Sequence, residues 1–289
     1  MTENAIRHIA VSREGDLFAT GAFERIVTVW SYPERRKIAE LETHMDFGGR
    51  RLAIVGGTRP RLLAGAYHRY GIACYDPLAG SRLWERRDLK RVQTVSACGE
   101  TRVCVVGLDS RPAHALDIDT GHTIALWRGA GKGHAHSDLT VLISKRLIVC
   151  LDQDGQVKWR ARLPEELWGA LDVAVGKPGI TVAFAREGLV TFEATSGHVL
   201  WHLRPPEGEH YLRVSWCERD DCFYAVQWSY LRSGPYSIVA ISAEGRHEQR
   251  VGILRAGEVE FWKQGTAVVS SDGHVRDTLT LRSLWHFRP

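Results

Sequence analysis

GLVTFEATSGHVLWHLRP, residues 188–205, reads as a strand, a tight turn and a second strand. Val190 and Phe192 alternate with other residues before the turn at 194–197, and Val199, Trp201 and Leu203 do so after it, which is the pattern of a hairpin. The same order of parts returns in YDPLAGSRLW (75–84) and LDQDGQVKW (151–159). In all three, Trp stands four residues past the turn glycine: Gly80 to Trp84, Gly155 to Trp159, Gly197 to Trp201. Looser copies are LDIDTG (116–121), with Trp127 slightly displaced, and ISAEG (241–245), which has no Trp. A hairpin that recurs is the mark of a repeat architecture.

New modules open near Ile6, Arg51, Val92, Asp138, Trp168, Tyr211 and Val259. Their spacing averages about 42 residues, the period of four-stranded propeller blades. The expected fold is therefore all-β: a seven-bladed β-propeller of four-stranded antiparallel blades, one closed domain over residues 1–289. One four-stranded sheet can bury its faces only against neighbours, so an open row would leave two exposed apolar ends. The fourth module is compressed, with no evident first strand in GKGHAH (131–136), and the seventh reads as strands near 259–262, 267–270 and 278–281. The longest helix signal, LPEELW (163–168), is too short for more than one turn.

Composition narrows the class. A hydrophobic fraction of 44% over 289 residues is ample for a core. The opening MTENAIRH carries no apolar stretch of signal-peptide length, and no window approaches the roughly 20 apolar residues that cross a bilayer, so a cytoplasmic protein is expected. Six cysteines (74, 98, 104, 150, 217, 222) lie mostly within apolar runs and form no C-x-x-C pair, which reads as buried thiols. A bridge across a hairpin, Cys98 to Cys104 or Cys217 to Cys222, would need an oxidising compartment. The net charge of +4 is small for this length, so nucleic acid is not the expected partner. All but seven of the 38 basic residues are Arg, a bias that goes with GC-rich genomes and points to a bacterial source.

The Asp-turn-Gly-x-x-x-Trp hairpins resemble the repeats of the quinoprotein-like (PQQ-like) propellers, while the blade length and Val27-Thr28-Val29-Trp30 resemble WD40 repeats. The likeness covers almost the whole chain and implies fold rather than function. There is no run of paired Gly-His and Trp-Asp dipeptides as in typical WD40 repeats: Ser31 follows Trp30, and other third strands end in Tyr75-Asp76, Leu116-Asp117 and Phe192-Glu193. The size and export signal of quinoprotein dehydrogenases are missing too, so no cofactor is expected.

A Trp at one fixed place per hairpin is what packing between blades asks for, since a ligand site occurs once. Asp76, Asp117 and Asp152 stand where a carboxylate caps the turn. His134-x-His136-x-Asp138 resembles part of a metallo-hydrolase motif, but Leu139 stands where a further His belongs. A solvated loop is the expected setting, with no metal. No nucleophile elbow, P-loop or dinucleotide-binding glycine motif occurs, so no catalytic residue is assigned.

One asymmetry remains. The turns between second and third strands lie on one rim of a propeller, and here they carry Arg25, His68, Arg69, Tyr70, Arg111, Arg186, Tyr230, Arg232, Tyr236 and Arg276. Arg and Tyr dominate interface hot spots, and loops on a rigid scaffold carry binding. The expected function is a non-catalytic propeller, monomeric until it meets another protein across this rim. A small propeller without a catalytic motif is similar to the immunity proteins of bacterial toxin systems. A scaffold or assembly subunit is the competing identity, and an enzyme or small-ligand binder at the central channel is the alternative from another class.

Overall fold

The structure is a computed structural model that describes residues 6–22, 25–43, 51–68, 70–109, 111–129, 131–136, 138–167, 169–229 and 235–288. Its strands form seven four-stranded sheets, each made of four strands consecutive in the chain. They are β1(His8–Val11), β2(Leu17–Gly21), β3(Ile26–Ser31), β4(Arg36–Glu42); β5(Leu52–Val55), β6(Arg61–Gly65), β7(Ile72–Asp76), β8(Ser81–Arg86); β9(Val92–Cys98), β10(Val103–Leu108), β11(Ala113–Asp117), β12(Thr123–Trp127); and β13(Lys132–Ala135), β14(Leu139–Ile143), β15(Leu147–Asp152), β16(Val157–Arg162). Then follow β17(Ala170–Gly176), β18(Gly179–Phe184), β19(Gly188–Phe192), β20(Val199–Leu203); β21(Glu209–Cys217), β22(Cys222–Ser229), β23(Tyr236–Ser242), β24(His247–Leu254); and β25(Val259–Trp262), β26(Ala267–Ser270), β27(His274–Asp277), β28(Ser283–His286). No helix occurs among the described residues. This is a seven-bladed β-propeller.

Contacts divide the chain into two compact units. The first holds residues 1–144, 151–156 and 287–289; the second holds 145–150 and 157–286. In the first, Val27, Val29 and Leu41 pack against Leu52, Ile54, Leu62 and Tyr75, and a further core joins Leu63, Ile72 and Cys74 to Val95, Cys104, Val106 and Leu116. Phe287, which follows β28, is buried against Phe18 and Trp30, with ring centroids 4.9 and 5.1 Å apart. In the second, Val214, Trp216, Phe223 and Val239 pack with Leu189, and Tyr224, Val226 and Ile238 with Phe261 and Val268.

The repeated hairpin is a latch. Trp84 Nε1 donates to the Ile118 carbonyl at 2.7 Å, Trp159 to Ala194 at 2.9 Å and Trp201 to Ala243 at 2.8 Å. Each indole therefore reaches from the outer strand of one sheet to the third-to-fourth turn of the next. It lies flat on that turn's glycine: a Cβ on Gly121, Gly197 or Gly245 would come within 2.6, 2.4 and 2.4 Å of the rings of Trp84, Trp159 and Trp201. Glycine is required there twice over, because Gly197 also has φ of 74°.

The turns are capped as the sequence leads one to expect. Asp76 Oδ1 accepts from the N–H of Leu78 and Ala79, Asp117 Oδ1 from Thr120, and Asp152 Oδ1 from Asp154 and Gln156 at 3.0 and 2.8 Å. Asp152→Ala is expected to cost about 1 kcal/mol, the usual loss for a cap of this kind. A denaturation midpoint equal to wild type would show that solvent replaces the carboxylate at no cost.

Two strand assignments differ from expectation. GKGHAH does contain a first strand, β13, despite its lack of alternating apolar residues. Gly133 comes so close to β10 that a Cβ would lie 2.3 Å from Val105 Cγ1, so close packing replaces the usual hydrophobic side chain. Conversely, 278–281 is a turn. Thr280 N–H and hydroxyl bond to Asp277 Oδ1 at 2.9 Å, Leu281 has φ of 54°, and Leu279 is exposed, so the third strand of the last sheet is β27.

Candidate functional site

The first unit brings two of the expected rim residues into contact. Arg25 lies in the β2–β3 turn with φ of 63°, a conformation that a non-glycine side chain holds only when its surroundings impose it. Thr43 does so, its N–H and hydroxyl both bonding the Arg25 carbonyl at 2.8 and 2.9 Å. So aimed, the guanidinium lies over the ring of Tyr70, in the β6–β7 turn, 5.5 Å from its centroid. A second stack stands nearby in the chain: Arg51 lies over Tyr67 at 5.1 Å, and Tyr67 touches His68 edge-on. Tyr67 donates its hydroxyl to Asp109 at 2.7 Å, and that bond pushes its pKa up. His68 and Arg111 are exposed. Arg87, also exposed, is paired with Glu85 and lies within the electrostatic reach of Tyr70. Tyr67, Arg51 and Asp109 were not singled out by sequence; they were hidden because Arg51 is buried and Asp109 is acidic on a rim read for its cations.

In the second unit, Arg186 is exposed in the β18–β19 turn. Burial, and then the Arg186 charge, hold His210 below the ordinary histidine pKa, and the His210 ring stacks on Trp228 at 6.1 Å. Tyr236 begins β23 and donates to the Gly257 carbonyl at 3.1 Å. Arg276 lies within β27 rather than in a turn, and its guanidinium is held by Asp272 at 2.7 Å and by Ser270 at 2.5 Å. Arg69, Tyr230 and Arg232 lie outside the described residues.

His134 is not in a solvated loop: it lies in β13 and is buried. His136 follows, and burial first, with the Arg13 charge second, pushes its pKa down to about 4, while Asp138 opposes the shift. No group of three His, Cys, Asp or Glu side chains among the described residues is placed to hold a metal ion. A depressed histidine pKa means that the unfolded chain takes up a proton first as pH falls. The stability from neutral His136 is thus complete above about pH 6.5 and is lost toward about pH 4, on the order of 3 kcal/mol. His136→Gln should flatten that part of the pH–stability curve; an unchanged slope would mean that other groups carry it.

The family model described as PQQ_2, outer membrane protein assembly factor BamB, matches residues 68–216, just over half of the chain. The chain belongs to this family. No curated protein matches it. Among solved structures, 1602 chains match, and a fold shared so widely does not specify a function. One is the crystal structure of the computationally designed Ika8 protein, at 15% identity and a TM-score of 0.65, over 98% of this chain and 86% of that one. That likeness concerns the fold alone. The matched segment of this PQQ-like chain contains the latches of Trp84, Trp159 and Trp201 and their partner residue Ile118 or Ala194, apart from the Ala243 turn.

Proposed function

We propose that this PQQ-like propeller is a non-catalytic protein-binding module, and that its partner docks on the second-to-third turns of the first unit. The observation that carries the reading is the stack of exposed Arg25 on Tyr70, with Arg111 and His68 exposed in the same class of turn. A stacked guanidinium keeps its donors while its face is already desolvated, so less is lost when a partner covers it. Such a surface favours a partner that presents carboxylates. The other basic residues compete less for that role: Arg61 and Arg102 are committed to Asp119 at 3.2 and 3.1 Å.

Two identities share this chemistry. One is the immunity protein expected from sequence, which caps a cognate toxin in the bacterial cytoplasm. The other is an assembly subunit, the reading favoured by the description of the matched family. The test is affinity capture from native lysate with wild type and with Arg25→Glu plus Arg111→Glu. A protein captured by wild type and lost by the folded variant supports the proposal; equal capture opposes it. If the captured protein is toxic alone and harmless when co-expressed, it is a toxin. If it is harmless alone and copurifies with further subunits, the assembly role stands.

A further inference from the structure

All six cysteines are buried as thiols, and the sheet registers separate the two hairpin pairs sharply. Cys98 is the direct partner of Val103, and Cys104 that of Ala97. Side chains alternate between faces along a strand and match across it, so Cys98 and Cys104 point to opposite faces of their sheet. Cys217 and Cys222, by contrast, are direct partners across the β21–β22 hairpin, and both belong to the same apolar cluster. Directly opposed residues have Cβ atoms about 4.5–5.5 Å apart, against the roughly 3.5–4.5 Å that a disulfide needs, so a small closing of the hairpin end suffices.

We propose that Cys217 and Cys222 are an oxidative modification site, forming a cross-strand disulfide when the chain folds in a thiol-oxidising environment. With glutathione disulfide as oxidant, one cysteine thiolate attacks a glutathione sulfur, forming a mixed disulfide and expelling one glutathione thiolate. The second cysteine then attacks the protein sulfur of that mixed disulfide and expels the other glutathione. The protein loses two hydrogens and two electrons, and two reduced glutathiones form.

Timing follows from burial. In the folded chain Cys217 is fully buried, its pKa is pushed up to about 11 mainly by that burial, and its S–H donates to Asp220 Oδ2 at 3.3 Å. Little thiolate is then present, so exchange belongs to the unfolded or partly folded chain. The bond also touches a latch between the last two sheets. Asp220 accepts from Tyr224 at 2.9 Å and from Arg219, whose guanidinium reaches Asp277 at 3.2 Å. Oxidation removes the Cys217 donor from Asp220 and leaves the other two.

The full chain, unfolded and reduced, is refolded in parallel in reduced glutathione and in a buffer rich in glutathione disulfide. Thiols are then alkylated under denaturing conditions and mapped by mass spectrometry. The expected product of oxidative refolding is lighter by about 2 Da before alkylation, with one peptide pair joined through Cys217 and Cys222 and the other four cysteines alkylated. The Cys217→Ala, Cys222→Ala double variant should refold equally in both buffers, with no loss of mass and no redox-dependent change in thermal midpoint. Alkylation of both Cys217 and Cys222 after oxidative refolding, or their bonding to other cysteines, would overturn the assignment. So would rapid disulfide formation in the already folded chain overturn the timing.

Discussion

Trp159→Ala is expected to lower the unfolding free energy by about 3–5 kcal/mol, the loss typical of a buried aromatic truncated to alanine. Trp159 is buried, its indole N–H is bonded to the Ala194 carbonyl, and its ring covers Gly197. Truncation removes the apolar contact and strands a carbonyl at once. Trp84 and Trp201 occupy the same place but are half-buried, so their losses should be smaller. Gly197→Ala tests the other half of the latch. The new methyl would collide with the indole and the backbone would keep a φ that alanine resists, so a loss of at least about 2 kcal/mol is expected. Urea denaturation checks both. A loss under about 1 kcal/mol for each would show that the sheets hold together without the indole.

These latches explain how much of the fold could be read in advance. The capping Asp, the turn glycine and the following Trp all act within one hairpin or on the next one, so their spacing is local and repeats visibly. Strand β13 was hidden because its place in the sheet depends on Gly133 approaching Val105, a long-range fit that leaves no apolar period. Residues 278–281 misled for the opposite reason: Leu279 and Leu281 alternate with Thr, yet Asp277 closes them into a turn. The rim was legible only in its composition. That Arg25 stacks on Tyr70, that Arg51 stacks on Tyr67, and that Arg276 is tied to Asp272 are facts of tertiary geometry. No spacing in the chain encodes them.

Arg25→Glu is expected to weaken partner binding by about 2–4 kcal/mol, roughly 30- to 1000-fold in Kd, because it removes a stacked cation and places a carboxylate against an acidic partner. Tyr70→Ala should cost less, and the two losses should not add, since each removes the same stack. Both positions are in turns and outside the apolar cores, so the thermal midpoint should move little. Raising salt should weaken the wild-type complex more than that of Arg25→Glu.

The most direct measurement is calorimetric titration of the purified captured partner into wild type, Arg25→Glu, Tyr70→Ala and the double variant, each checked for an unchanged thermal midpoint. Binding weakened at least about 30-fold by Arg25→Glu, with the double variant close to it, is the predicted result. Equal affinity for all four folded proteins would contradict the account and move the binding surface away from the Arg–Tyr rim.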